Sequence, residues 1–108
     1  MQDTEKKLTE SEEQIMAVLM DSEEDLSVSE TRNYVNQRFK HTWKEQTVAT
    51  LLTRMEEKGY VLGYKSGKCR YYSIIIRPEE YREKRSVDLC ELLFGGNMDK
   101  MKEFVKMI

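Results

Sequence analysis

Residues 43–59 read Trp-Lys-Glu-Gln-Thr-Val-Ala-Thr-Leu-Leu-Thr-Arg-Met-Glu-Glu-Lys-Gly, and the predicted elements of the chain are arranged around them. Its apolar residues recur at the i, i+3, i+4, i+7 spacing of one helix face: Val48, Leu51, Leu52 and Met55. Gly59 follows the last of them, at the position where many helices end in the left-handed conformation. The stretch therefore predicts a helix with one buried face.

The opposite face of this helix is short, polar and almost uncharged. It carries Gln46, Thr47, Thr50, Thr53 and Arg54. Exposed helix faces usually carry Lys and Glu instead, because these residues are better helix formers. A short polar face can lie close to a DNA major groove and hydrogen-bond to base edges and phosphates. We interpret the five residues as a DNA-reading surface; an ordinary amphipathic surface helix is the alternative.

Two helices are predicted before this central one. The first runs from Leu8 to Met20, with Thr9 and Glu12 as a capping box. An acidic side, with Glu10, Glu12 and Glu13, would repel DNA, so we assign this helix a scaffold role. A second capping box, Ser27 with Glu30, opens a helix from about Val28 to Phe39.

The second helix is expected to place Thr31 and Val35 in the core, with Tyr34 as a further candidate. A short turn then leads from it to the central helix. The central helix is expected to begin at Thr42, capped with Glu45, or a residue or two later. Two helices joined by a tight turn, the second with a polar reading face, predict a helix-turn-helix.

A β-hairpin is predicted directly after Gly59. Residues 60–65 and 69–75 are rich in β-branched and aromatic residues, and Ser66-Gly67-Lys68 forms the turn between them. We expect the basic residues around the tip to contact phosphates: Lys65, Lys68 and Arg70. The alternative is a hairpin that only covers the core. Residues 1–76 are therefore predicted to form a winged-helix DNA-binding domain with a two-stranded wing, within a mainly α (α+β) chain.

Residues 77–108 predict a helical arm. Pro78 starts a helix that reaches about Phe94, Gly95-Gly96-Asn97 breaks it, and a helical apolar pattern continues to the end of the chain. The apolar positions expected at an interface are Tyr81, Leu89, Leu92, Leu93, Met98, Met101, Phe104 and Val105. Because the preceding domain has its own core, we expect this stripe to bind a second copy of the chain. The alternative is that it folds back on its own domain.

Charge is distributed unevenly along the 108 residues. Charged residues make up 35% and apolar residues 39%, which is typical of a globular domain, and the net charge is −2. Residues 1–30 contain 2 basic and 10 acidic residues, net −8, whereas residues 31–72 contain 9 basic and 3 acidic residues, net +6. The basic block contains the central helix and the hairpin, and clustered positive charge favours phosphate binding.

Cysteine usage and the N-terminus indicate a cytoplasmic protein. Cys69 and Cys90 stand 21 positions apart with no Cys-x-x-Cys, which favours free thiols in a reducing compartment. Residues 1–7 lead into no apolar core, so no secretory signal is expected, and no apolar run approaches the ~20 residues that span a membrane. Neither metal-ligand spacing nor a nucleophile–base pairing is recognisable. We expect no cofactor, no metal, no membrane partner and no enzymatic activity.

The same residues resemble the BlaI/MecI/CopY penicillinase repressors. The resemblance rests on Trp43, on residues 47–55, on Lys58-Gly59-Tyr60 and on Arg70-Tyr71-Tyr72. It implies a winged-helix homodimer that represses from a short inverted repeat, with the terminal helices forming the dimer. It also implies that Thr47, Thr50 and Arg54 face DNA, and that a regulatory protease is a partner.

Several positions depart from the family pattern. Ala49 stands where members often have Lys or Arg, and Lys44-Glu45-Gln46 stands where the penicillinase repressors have Ser/Thr-Pro-Lys, so a different operator is expected. Glu103-Phe104 aligns with the Asn-Phe bond that is cut during induction. The Cys-x-Cys pairs of the copper-responsive branch are missing, which disfavours copper sensing.

The sequence therefore predicts a sequence-specific, DNA-binding transcriptional repressor that acts as a homodimer on double-stranded DNA. The alternative function is a winged-helix protein-interaction module without DNA binding, which the acidic first helix and the net negative charge favour.

Overall fold

The computed structural model describes residues 6–108; residues 1–5, which contribute to the expectation of no secretory signal, lie outside the described residues. The elements in chain order are α1 (Glu10–Asp21), β1 (Leu26–Ser27), α2 (Val28–Phe39), α3 (Glu45–Glu57), β2 (Val61–Ser66), β3 (Cys69–Ile74), α4 (Pro78–Phe94) and α5 (Met98–Met107). The chain divides into two compact units, one ending at Ile76 and the other beginning at Arg77. The predicted winged helix-turn-helix is confirmed by helices α1 to α3 and the antiparallel hairpin of β2 and β3.

Capping boxes begin α1 and α2, as the sequence predicted. In the first, the Thr9 amide donates to Glu12 Oε1 at 2.8 Å, and the Glu12 amide donates to Thr9 Oγ1 at 3.2 Å. Ser27 and Glu30 repeat the arrangement at 2.9 and 3.1 Å. Each box satisfies two amide groups that have no partner within the helix, so these two ends are determined by local sequence.

The core of the first unit lies between α1, α2, α3 and the sheet. Its fully buried apolar side chains include Ile15, Met16, Val35, Val48, Leu52, Met55 and Val61. The prediction that Tyr34 lies in the core was wrong. Thr31 and Val35 define the buried face of α2, and Tyr34, one position before Val35, points away from this face and is 53% exposed. The assignment of Glu12 to a DNA-repelling acidic side was also wrong: its side chain is 1% exposed and pairs with Lys58.

The sheet has three strands in the order β1-β3-β2, one more than the two-stranded wing predicted. Strand β1 pairs Leu26 with Tyr72 and Ser27 with Tyr71. Two residues carry no readable alternation, so this strand could not be recognised from sequence. At the tip, Ser66 pairs with Cys69 and leaves a two-residue turn, in which Gly67 adopts the positive φ of 63° that primed hairpin turns require.

The start of α3 differs from the predicted Thr42–Glu45 capping box. The first helical residue is Glu45 and the N-cap is Lys44. The Asn36 side chain binds the backbone of Trp43 on both sides, with its Nδ2 donating to the Trp43 carbonyl at 3.0 Å and its Oδ1 accepting from the Trp43 amide at 3.1 Å. This pairing holds residue 43 outside the helix, and therefore the helix begins later than the local sequence suggests.

The second unit consists of α4 and α5. Helix α4 begins at Pro78 and has Gly95 as its C-cap at φ 59°, both as predicted. The Asn97 side chain then caps α5 by accepting from the Lys100 amide at 3.0 Å. The two helices pack through a tilted pair of Phe94 and Phe104 rings, with centroids 5.7 Å apart, and Cys90 is buried.

Candidate nucleic-acid interface

Helix α3 buries one face and exposes the other. The apolar face is buried as predicted, with Val48, Leu52 and Met55 each at 0% exposure and Leu51 at 8%. The five residues predicted to read DNA are all exposed: Gln46, Thr47, Thr50, Thr53 and Arg54. Burial on one side therefore fixes which side of α3 faces outward, and the outward side carries short hydrogen-bonding groups.

Two threonine hydroxyls on this face are bonded to their own helix. Thr50 Oγ1 donates to the Gln46 carbonyl at 3.0 Å, and Thr53 Oγ1 donates to the Ala49 carbonyl at 2.9 Å. Each hydroxyl has one hydrogen, so the groups that remain for a ligand are the oxygen lone pairs and the γ-methyl group. In this arrangement the threonines present acceptors and apolar methyl groups, whereas Gln46 and Arg54 present donors.

The turn before α3 is held by contacts of Asn36, His41 and Gln14 that the sequence pattern did not predict. Asn36 holds the Trp43 backbone, and the His41 ring lies on the Trp43 ring with centroids 4.1 Å apart and planes 7° apart. His41 Nε2 also lies 2.6 Å from Gln14 Oε1 of α1. Asn36 lies seven positions before its partner Trp43, and Gln14 lies 27 positions before its partner His41. Neither separation is a helix or strand period, so a sequence pattern could not reveal these contacts.

The wing has two exposed lysines near its tip and one arginine that contacts neighbouring side chains. Lys65 and Lys68 are exposed near the Gly67 turn. Arg70 instead lies over the Tyr72 ring, with its guanidinium carbon 5.7 Å from the ring centroid and its Nε 3.3 Å from the Tyr72 hydroxyl. The structure thus brings the three predicted wing residues onto one hairpin but directs Arg70 back along it.

Arg70 also connects the wing to α3 through Glu56. The Arg70 guanidinium lies 3.7 Å from Glu56 Oε1, while Glu56 Oε2 accepts from the Gly63 amide at 3.1 Å. Hydrogen bonding to Tyr72 and the nearby Glu56 carboxylate raise the pKa of Arg70, so its charge is retained. A β-carbon at Gly63 would lie 2.8 Å from Arg70 Nη2 and from the Tyr72 ring, which explains the glycine at this point.

The wing is also joined to the loop before β1. The Tyr64 hydroxyl donates to Asp25 Oδ2 at 2.6 Å, and the Tyr64 ring stacks near Tyr71 at 6.1 Å between centroids. The bond to the Asp25 carboxylate raises the pKa of Tyr64, because the ionised phenol would lose it. The Glu56 contacts and this bond thus attach the hairpin to α3 and to the loop before β1.

The predicted interface residues of the second unit are largely exposed. Leu92 is 78% exposed, Leu93 62%, Val105 54% and Phe104 51%. Leu89 and Met98 are exposed to a smaller extent, and Tyr81 and Met101 are partly buried. The chain therefore presents apolar side chains from both helices of this unit to solvent.

Within residues 6–108, no group of His, Cys, Asp and Glu side chains is arranged to hold a metal ion. None of the helices over the same range is long and apolar enough to cross a membrane.

An exposed polar helix face, a tight turn and a hairpin directly after it define a winged helix-turn-helix protein of the DNA-binding class. The sequence matches the penicillinase repressor family over residues 8–107, and the chain belongs to that family. It is therefore a DNA-binding transcriptional repressor and not an enzyme.

A solved structure supports the fold assignment. The chain is similar to a transcriptional regulator from Clostridium thermocellum, with a TM-score of 0.54 and 20% sequence identity, over 81% of this chain and 88% of that one. No curated protein matches the sequence significantly.

Proposed function

We propose that this repressor acts as a homodimer, in which each copy inserts α3 into the major groove of one half of an inverted-repeat operator. The observation that carries the proposal is the exposed face of Gln46, Thr47, Thr50, Thr53 and Arg54 on a helix whose opposite face is buried. A helix with such short side chains can approach base edges closely.

The chemistry of this face favours particular bases. Arg54 can donate two hydrogen bonds to guanine O6 and N7, and Gln46 can pair with adenine N6 and N7. Thr50 and Thr53 already donate to backbone carbonyls, so they would accept from an amino group or contact a thymine methyl. Thr47 lies in the first turn of α3, where backbone amides face outward, and it can contact a phosphate there.

We further propose that the wing adds phosphate contacts without reading sequence. Lys65 and Lys68 are exposed near the tip and can reach the backbone beside the groove. Arg70 has a different role, because it pairs with Glu56 and covers Tyr72. It links the hairpin to α3, and its half-exposed guanidinium keeps further donors for a phosphate.

Dimerisation is proposed to occur through α4 and α5. Leu92, Leu93, Phe104 and Val105 of the second unit are apolar side chains that are each more than half exposed. A two-fold interface would place the same surface on both copies and bury it. Two α3 helices could then bind half-sites about one helical turn apart, which compensates for the small number of base contacts that each helix makes.

The proposal is tested by selecting duplexes from a random library with the purified chain and measuring affinity against salt. We expect an inverted-repeat consensus and a steep fall of affinity with salt, because bound phosphates release counterions. A failure to enrich any sequence, with little duplex affinity at low salt, would instead support the protein-interaction module that the net charge of −2 favours.

Proteolytic induction is a separate part of the family resemblance. Glu103 and Phe104 lie inside α5 rather than in a loop. Proteases preferentially cut exposed loop segments, so a cut at this bond would require α5 to open first. The proposed function therefore does not include cleavage by a protease.

A further inference from the structure

The position of α3 is determined by the turn that precedes it. Within the described residues, the N-cap Lys44 makes no side-chain hydrogen bond to the first turn of α3, in contrast to the capping boxes of α1 and α2. A helix start without a local cap is held by other contacts or frays. Such contacts come here from residues 36 to 43.

His41 is the residue in this turn that reaches another helix. Its ring lies flat on the Trp43 ring, 4.1 Å between centroids, and its Nε2 lies 2.6 Å from Gln14 Oε1 in α1. Trp43 is two positions before the first residue of α3 and is held by Asn36. A continuous path therefore runs from Gln14 through His41 and Trp43 to the beginning of α3.

This path of contacts links α1, which belongs to the core, to α3, the proposed reading helix. Helix α1 is joined to the core by Ile15 and Met16, the neighbours of Gln14, which are 0% exposed. The imidazole is half-buried between Gln14 and Trp43, so its ring serves packing within the turn. His41 therefore contacts α1 on one side and, through Trp43, the start of α3 on the other. A side chain placed in this way can set the orientation of α3.

We propose that His41, fixed by Gln14 and stacked on Trp43, is a positioning residue that sets the orientation of α3 for sequence-specific binding. This inference rests on the proposed function of α3 as the reading helix. Base recognition requires side chains to be held within ~0.5 Å of their productive geometry, whereas phosphate attraction tolerates small displacements. Loss of the His41 contacts therefore lowers discrimination between sequences more than it lowers general DNA affinity.

The test uses the full chain and two duplexes: one obtained by selection from a random library and one with the same base composition in scrambled order. Affinities are measured over a range of salt for the parent, His41→Ala, His41→Phe, Gln14→Ala and the double variant that combines Gln14→Ala with His41→Phe. We expect His41→Ala to weaken binding to the selected duplex about three- to tenfold, in line with the loss of one aromatic pair. Binding to the scrambled duplex and the salt slope should stay at the parent values.

The remaining variants separate the stack from the hydrogen bond. His41→Phe keeps a ring on Trp43 and should recover part of the selected-duplex affinity lost in His41→Ala. In the Gln14→Ala background, His41→Phe should cause no further loss, because both changes remove the same bond. If His41→Ala does not fold, as judged by circular dichroism at the assay temperature, Gln14→Ala takes its place, and a folded Gln14→Ala with the preference of the parent overturns the role of His41. Gln37→Ala, an exposed position of α2, is the matched control and should equal the parent.

The outcomes separate this inference from the proposed function. A parent chain that prefers no selected duplex overturns the proposed function itself. A parent with clear preference and a folded His41→Ala with the same preference overturns only the role of His41. Equal weakening on both duplexes with a smaller salt slope also overturns it, because His41 would then be a phosphate contact.

Discussion

Lys58 Nζ, at the end of α3, lies 2.6 Å from Oε1 of Glu12, a carboxylate that is 1% exposed at the start of α1. The same ammonium donates to the Lys7 carbonyl at 3.1 Å, and Glu12 Oε1 also accepts from the Thr9 amide. The pair joins the two ends of the three-helix core across 46 positions of sequence. It connects the C-cap of α3 to the first turn of α1.

Replacing Lys58 should destabilise the fold strongly. Lys58→Met leaves the Glu12 carboxylate buried without its cation, and breaking a buried pair in this way costs ~3–5 kcal/mol. Because the Lys58 side chain is 20% exposed, we expect the lower part of that range. The measurement is urea unfolding at pH 7. Lys65→Met, at an exposed position of the wing, is the control and should change the free energy of unfolding by less than ~0.5 kcal/mol. Equal midpoints for the two variants would contradict a stabilising role for the pair.

Acid should destabilise the protein partly through Glu12. Burial acts to raise the pKa of this carboxyl, but hydrogen bonds from Lys58 and Thr9 and the charge of Lys58 outweigh burial, so its pKa lies below the ordinary value. A lowered pKa in the folded state gives stability that is present above the unfolded value of ~4.3 and is lost as pH falls through the folded value. Unfolding free energies from pH 7 to 3 should therefore fall less steeply below about pH 4.3 in Glu12→Gln than in the parent. Parallel curves for the two proteins would mean that Glu12 has the same pKa when folded and unfolded.

Substitutions on α3 should separate base contacts from phosphate contacts. Arg54→Ala should weaken binding to the selected duplex by ~1–3 kcal/mol and relax the preference at one base position, as expected for a residue that pairs with a base edge. Thr50→Ala should weaken binding too, by loss of an acceptor or a methyl contact. Affinities for a panel of single-base variants of the selected duplex provide the measurement. The buried-face variant Val48→Ile controls for general repacking of the helix. Parent-like affinities in folded Arg54→Ala and Thr50→Ala would exclude α3 as the reader.

Neutralising the wing tip should change the salt dependence rather than the specificity. Lys65→Gln with Lys68→Gln removes two exposed charges near Gly67. The slope of log affinity against log salt should flatten by at most about 2, roughly one for each lost phosphate contact. A double variant at exposed lysines of the second unit, Lys84→Gln with Lys102→Gln, removes the same charge elsewhere and is expected to leave the slope nearly unchanged. If both double variants give the parent slope, the wing has only a structural role.

Charged substitutions in the apolar surface of α4 and α5 should produce folded monomers. Leu92 is 78% exposed, so an aspartate there costs little within one chain. Phe104→Asp also removes the ring pair with Phe94, so its helix content is compared with that of the parent by circular dichroism. In a dimer, each well-buried leucine or phenylalanine contributes ~1.5–3 kcal/mol, and several together offset the ~4–15 kcal/mol lost in association entropy. Sedimentation equilibrium at micromolar concentration should find a dimeric parent and monomeric Leu92→Asp and Phe104→Asp. Lys84→Asp, at an exposed polar position of α4, should remain dimeric. A monomeric parent, or dimeric Leu92→Asp and Phe104→Asp variants, would require a different source of operator affinity.

The helices and the hairpin could be predicted because their signals are local. The pairs Thr9–Glu12 and Ser27–Glu30 satisfy their own helix ends, and the apolar spacing from Val48 to Met55 specifies the buried face of α3. Gly67 meets the conformational requirement of a two-residue turn by itself. The outward face of α3 followed from the same spacing, because burying one side of a helix exposes the other.

Contacts between distant positions were decided by the tertiary structure. Glu12 looks like a solvent-exposed acidic residue until the end of α3 brings Lys58 to it. Arg70 looks like a third basic residue of the wing tip until Glu56 and Tyr72 draw its side chain back. The start of α3 depends on Asn36, which competes for Trp43 with the local capping signal at Thr42. Periodicity and caps act over about one helical turn, and so sequence determined the elements and the face of α3. Charge pairing and side-chain stacking depend on the three-dimensional distance between groups, and so only the folded chain could decide how α3 is held.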